Sequence, residues 1–111
     1  WQRGDLQWWR GKSCDTFSPV GPWIETDIAD PATLTLETRL NGHVKQHSGI
    51  DKMLFDVPTM ISFISQVVTL LPGDLIYTGT CDGVGPMDHG DTVEVEVSRI
   101  GVLRNPVRRE Q

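Results

Sequence analysis

Leu34, Leu36, Thr38 and Leu40 alternate with Thr35, Glu37 and Arg39, and the pair Asn41-Gly42 follows at once. A period of two puts successive side chains on opposite faces of a strand. Asn-Gly is the strongest short-range signal for a type I′ hairpin turn, because both central residues must take positive φ. Residues 33–40 are therefore expected to form a half-buried strand, with His43 to Gln46 returning antiparallel to it.

The other elements are read around this hairpin. Asp56 to Leu71 reads as the one main helix. Asp56 can cap it, and Pro58 sits in the first turn, where a missing N–H costs nothing. Met60, Ile61, Ile64, Val67, Val68 and Leu71 recur at helical spacing, and Pro72-Gly73 stops the run. Asp74 to Thr78 reads as a short buried strand, and Thr80 to His89 as a loop rich in glycine and proline. Asp91 to Ser98 alternates Val93, Val95 and Val97 with Glu94 and Glu96, giving a strand with one wet face, and Gly101 to Val107 is its expected partner. Residues 1–17 read as a turn and an irregular loop, and Pro19 to Glu25 as an extended segment. The expected class is α+β, mostly β, in a single small domain of 111 residues.

Charge and hydropathy remove several functions. The net charge of −5 argues against nucleic acid as a partner, since phosphate binding needs a basic surface. The arginines from Arg104 to Arg109 read as a solvated end. The longest apolar segment, Met60 to Leu71, is broken by Ser62, Ser65, Gln66 and Thr69, well short of the roughly 18 apolar residues of a membrane span. Cys14 and Cys81 form no metal-type cluster and read as free thiols in a reducing cytoplasm. No signal peptide is visible, but the chain opens on Trp1 without a methionine. Truncation, processing or a split polypeptide is the expectation.

Chemistry is expected in glycine-rich polar loops. Gly11-Lys12-Ser13 has the ending of a phosphate-binding loop, yet the upstream glycine of that motif would be residue 6, which is Leu6, and no strand precedes it. Lys12 can instead hold a carboxylate or an enolate as a compact cation with three donors. From spacing alone, a surface lysine in a turn is the favoured reading. Thr78-Gly79-Thr80 offers hydroxyls and amides able to bind an anion, or is a plain strand-ending turn. His43 and His47, four apart on a strand, would stand about 13 Å apart, too far to share one metal. His89 reads as a turn residue, and no Ser-His-Asp arrangement follows from residue order. Glu94 and Glu96 are read as a solvated acidic face rather than a carboxylate pair for metal or acid–base work.

Taken in order, seven pieces run nearly end to end along the chain. They are Arg10-Gly11-Lys12-Ser13-x-Asp15-Thr16-Phe17, Pro19-x-Gly21-Pro22-Trp23, Asn41-Gly42, Leu71-Pro72-Gly73-Asp74-Leu75-Ile76-x-Thr78-Gly79-Thr80, Gly83-Val84-Gly85, Gly90-Asp91-Thr92-Val93-Glu94-Val95-Glu96 and Ile100-Gly101-x-Leu103-Arg104-Asn105. This pattern resembles the fumarylacetoacetate hydrolase family, specifically the carboxyl-terminal portion of its catalytic domain.

The resemblance implies a mixed β-sandwich roll with one main helix, often assembled as a homodimer. It implies a hydrolase, isomerase or lyase acting on 2-oxo acids or 1,3-dicarbonyl carboxylates, including ring-cleavage products of aromatic catabolism. A divalent ion, Mg²⁺ or Mn²⁺, would chelate the substrate and stabilise an enolate as a Lewis acid. Lys12 matches the pocket lysine that neutralises substrate oxygens, and is the expected catalytic residue. Thr16 matches a pocket threonine, Thr80 the threonine that holds the substrate carboxylate, and Gln2 a glutamine that contacts substrate in some members. Gly79 and Gly83 would let the backbone approach the ligand. Glu94 aligns loosely with a glutamate that orients a histidine in one branch.

The resemblance places the family's metal ligands, an E-x-E pair and an aspartate, upstream of Trp1, together with the water-activating His and Glu. Residues 1–111 are then the carboxyl-terminal part of one catalytic domain, with no metal ligand of their own and no activity alone. Their expected partners are a small 2-oxo acid, the amino-terminal portion of the same domain or a complementary chain, and a second copy, with neither nucleic acid nor membrane. The alternative is a non-catalytic β-rich binding or assembly module that keeps the scaffold. Cys14 and Cys81 depart from the family pattern, and subfamily variation is favoured over a redox pair. Cut strand edges invite pairing, so a well-behaved monomer is not expected.

Overall fold

The hairpin forms as its residues require. In a computed structural model that describes residues 4–109, Asn41 and Gly42 take φ of 52° and 80° between β1 (Thr35–Leu40) and β2 (His43–Gly49). Both central turn positions are thus left-handed, as a type I′ connection demands. Asn41 also clasps the far strand. Its amide nitrogen donates to Asp91 Oδ1 at 2.8 Å, and its Oδ1 accepts from the backbone N–H of Thr92 at 2.9 Å. The backbone N–H of Asp88, and after it the Asn41 amide, hold the Asp91 carboxyl below its usual range.

Two more strands, β3 (Thr92–Val97) and β4 (Gly101–Pro106), complete one antiparallel sheet in the order β2-β1-β3-β4. The expected pairing of Gly101–Val107 with the Val-Glu strand is borne out, with Leu103 opposite Val95 and Arg104 opposite Glu94. The class is mostly β with one main helix.

Alternation divides the sheet into two faces of different chemistry. On one, Glu37 and Arg39 of β1 lie opposite Glu96 and Glu94 of β3. Arg39 Nη1 donates to Glu37 at 2.6 Å and to Glu96 at 2.8 Å, and its Nε reaches Glu94 at 3.4 Å. Arg104 approaches Glu94 from β4, and His47 approaches Glu37 from β2. The solvated acidic face read from the sequence is therefore corrected to a half-buried ion-pair network centred on Arg39. The Arg39 hydrogen bond holds the Glu37 carboxyl below its usual range, against the opposing effect of desolvation. The other face is apolar, carrying Leu36, Val95 and Leu103. Pro22 and Trp23 lie over β4, where a Cβ on Gly101 would come within 2.9 Å of the Trp23 ring.

The main helix, α2 (Val57–Ser65), follows a short α1 (Trp9–Lys12). Asp56 caps α2 by accepting from the Thr59 N–H at 2.8 Å, and Pro58 sits in the first turn, as read. The helix ends at Ser65 rather than Leu71. Val67, Val68 and Thr69 are β-branched and lose side-chain freedom in a helix. Beyond them Asp74 captures the backbone N–H of Leu71 at 2.7 Å in a local turn, removing it from helical bonding.

Asp74–Thr78 is not a strand, contrary to the sequence reading. No strand pairs with it among the described residues, and Leu75 and Tyr77 are exposed rather than buried. The same shortage of cover is general. Leu34 alone is buried among the described residues, while Trp9, Ile24, Leu54, Phe63 and Val67 stand open. Among the described residues no helix is long and apolar enough to cross a membrane.

Candidate functional site

A groove of about 590 Å³ lies on the apolar face of the sheet. Leu36, Thr38 and Val95 supply its floor, and Gln46 and Ser48 come from β2. Met53, Leu54, Phe55 and Met60 form an apolar wall, and Thr78, Gly79, Thr80 and Cys81 form the opposing strap.

The polar residues of β2 reach this groove because of a bulge. From the turn, Leu40 pairs with His43 and Arg39 with Val44, but Thr38 pairs with Gln46, so Lys45 has no partner across the pair. One extra residue shifts every following side chain to the other face. Without it Thr38 would face Lys45. With it Gln46 and Ser48 enter the groove and His47 meets Glu37 on the ionic face.

Gln46 then holds the strap. Its Nε2 donates to Thr80 Oγ1 at 2.8 Å and to the Cys81 carbonyl at 2.9 Å. A second contact seats the strap's return. Gly83, at φ +103°, lies so close to the carbonyl of Lys45 that a Cβ there would overlap the oxygen. Gly83 thus serves a close approach to β2. Gly79 also has positive φ, +104°, but a Cβ on it would meet nothing within 4 Å. It opens onto free space beside Thr80.

Among the described residues, Lys52 is the one basic side chain lining the groove. Its ammonium donates to Asp51 at 2.7 Å, and this bond holds it above its usual range.

The residues singled out from the sequence divide into two groups. Gly79 and Thr80 share the groove wall. Lys12 and Thr16 lie on the first loop, exposed and outside the groove lining. Lys12 ends α1 with its ammonium 5.3 Å from the centre of the Trp8 ring, and Thr16 takes a left-handed φ of 69°. The two loops are tied together by Tyr77, whose hydroxyl donates to the Ser18 carbonyl at 3.3 Å. Ser18 Oγ in turn donates to the Lys12 carbonyl at 2.8 Å. Gln2 lies outside the described residues. Among the described residues no group of three or more His, Cys, Asp or Glu side chains is arranged to hold a metal ion. Glu94 faces Arg39 and Arg104 rather than a histidine awaiting orientation. Cys14 and Cys81 are both unpaired.

Gln46 and Lys52 were not legible as site residues. Nothing in the residue order of His43–Gly49 announces the bulge, and an unbroken alternation would send Gln46 to the opposite face.

Known proteins are similar to this chain along most of its length. The chain is similar to 2-hydroxyhepta-2,4-diene-1,7-dioate isomerase from Mycobacterium marinum, at 56% identity and a TM-score of 0.94 over 98% of this chain and 43% of that one. It is similar to maleylpyruvate hydrolase from Sphingobium sp. SYK-6, solved with manganese(II) ion and pyruvate. That match has 41% identity and a TM-score of 0.85, over 88% of this chain and 38% of that one. The mitochondrial oxaloacetate tautomerase Fahd2a of Rattus norvegicus is 42% identical over 96% of this chain and 37% of its own length. The chain spans less than half the length of the curated relatives it matches. Residues 1–108 match the family model described as fumarylacetoacetate (FAA) hydrolase C-terminal, and the chain belongs to the fumarylacetoacetate hydrolase family.

Proposed function

We propose that residues 1–111 form the carboxyl-terminal part of a single catalytic domain that hydrolyses or isomerises small 2-oxo acids through an enolate. Relatives named as hydrolase, isomerase and tautomerase support this class of chemistry. The observation that carries it for this chain is the strap of the groove. Thr80 presents a hydroxyl held by Gln46, beside an open Gly79 that leaves room for a ligand. A carboxylate seated there would accept from Thr80 and from strap amides, with Met53, Phe55 and Met60 packing against the substrate's carbon chain.

The described residues do not assemble a metal site. A divalent ion, Mg²⁺ or Mn²⁺, would in this proposal be held by residues outside this chain and would supply Lewis-acid stabilisation of the enolate. A family relative solved with manganese supports such an ion. The present chain contributes substrate-side groups: Thr80 and Gly79 for a carboxylate, Lys12 and Thr16 for charge on reacting oxygens, and Gln2 for a further contact. Lys12, a three-donor cation whose backbone carbonyl is linked to Tyr77 through Ser18, suits that task.

The exposed apolar side chains on α2, with Leu75 and Tyr77 just before the strap, suit cover by an amino-terminal portion or complementary chain, and by a second copy. Unpaired cysteines support a cytoplasmic setting.

The test is turnover of a panel of 2-oxo acids, oxaloacetate and acylpyruvates among them, by the assembled enzyme with Mn²⁺. Lys12→Ala should reduce turnover on the order of a hundredfold, as loss of an electrostatic group aimed at developing charge does. Near-normal turnover would remove Lys12 from the chemistry. No turnover of any substrate by an assembly that binds metal would favour a non-catalytic module.

A further inference from the structure

We infer that Gln46 is a positioning residue that sets Thr80 as a hydrogen-bond donor to an anionic oxygen in the groove. The inference rests on the proposed binding of a substrate carboxylate by Thr80.

A backbone carbonyl can only accept, so the Gln46 atom 2.9 Å from the Cys81 carbonyl must be the NH₂ nitrogen and not the oxygen. The same nitrogen stands 2.8 Å from Thr80 Oγ1, so there too it donates and the hydroxyl accepts. Thr80 therefore keeps its own hydrogen for another partner. Among the described residues that partner is the Cys81 carbonyl at 3.3 Å, long for an O–H···O bond. An anionic oxygen at ordinary distance in the groove would be a better acceptor.

The backbone makes this arrangement rigid. The bulge at Lys45 turns Gln46 into the groove, and Gly83 packs against the Lys45 carbonyl. The strap is thus fixed to β2 at neighbouring residues, one contact through a side chain and one through backbone. Gln46 is half-buried and Thr80 is exposed, and both line the groove.

The experiment measures pyruvate affinity by calorimetry in the assembled enzyme with saturating Mn²⁺, for Gln46→Met, Thr80→Val and the double variant. Gln46→Met keeps length but removes the donor. It should weaken pyruvate about threefold to tenfold, the range of one ordinary hydrogen bond. It should raise KM more than it lowers kcat, and add nothing in the Thr80→Val background. Gln46→Glu places an acceptor beside the hydroxyl and competes for its hydrogen. Its penalty relative to wild type should exceed that of Gln46→Met, because the carboxylate takes the hydrogen that pyruvate needs. Rescue follows the hydroxyl: Thr80→Ser should retain both the affinity and the sensitivity to Gln46→Met. If Thr80→Val weakens pyruvate while Gln46→Met does not, or if the two losses multiply, the role of Gln46 is overturned. If Thr80→Val itself leaves pyruvate affinity unchanged, the carboxylate site at Thr80 falls and this inference falls with it.

Discussion

Gly79 and Gly83 provide a matched pair for testing how the strap is held. They take φ of +104° and +103°, so alanine at either suffers the same backbone strain. Left-handed backbone costs an L residue about 1–2 kcal/mol. Reduced freedom of the unfolded chain offsets about 0.4–1 kcal/mol of that. Gly79→Ala should therefore lose about 1 kcal/mol, because its Cβ meets nothing. At Gly83 the Cβ overlaps the Lys45 carbonyl oxygen and stands 2.9 Å from the carbonyl carbon and 3.0 Å from Gln46 Cγ. Two of these atoms are backbone of the bulge residue Lys45, which is held between the paired residues Val44 and Gln46 and cannot yield cheaply. Overpacking of this kind adds about 1–3 kcal/mol. With a urea slope of about 2 kcal/mol/M, Gly83→Ala should unfold about 1 M earlier than Gly79→Ala. The assay is a urea titration of the assembled protein followed by tryptophan fluorescence, with the slope checked for constancy. Equal midpoints for the two variants would refute the seating of the strap on β2.

Three further outcomes follow from other parts of the molecule. Arg39→Met should lower the urea midpoint at pH 7, because Glu37, Glu94 and Glu96 would face one another without their shared cation. Glu37 is held below its usual range, so its contribution is present above the ordinary glutamate value of about 4.3 and is lost as pH falls through the lower folded value. The gap between variant and wild type should accordingly narrow below about pH 4, and a constant gap from pH 7 to pH 3 would contradict the network. Thiol titration after air exposure should find both Cys14 and Cys81 free, and a disulfide would revive a redox role. Sedimentation of the 111-residue chain alone at high concentration should show association driven by its exposed apolar side chains, whereas a sharp monomer peak would not fit that expectation.

Much of the fold was legible because it is local. Asn41-Gly42 demands positive φ wherever it stands, and Asp56 with Pro58 starts a helix by satisfying or omitting its first N–H groups. The alternation of Val93, Val95 and Val97 needs only period two to become β3. The strap was legible in part: Thr78-Gly79-Thr80 stood out as a turn that could bind an anion or simply end a strand, and the motif order pointed to the family.

What sequence order left open was decided by pairing. The bulge at Lys45 is a relation between β1 and β2, and it alone carries Gln46 to Thr80 and His47 to Glu37. The apparent wet face of Glu94 and Glu96 became an ion-pair network because β1 lies beside β3 and brings Arg39 between them, a neighbour 55 and 57 positions away. Asp74–Thr78 has a strand's composition and is not one here, since a strand exists only with a partner to take its hydrogen bonds. Propensity is a property of the residue itself. Register and partnership are properties of two segments together, and only the tertiary structure supplies the second segment.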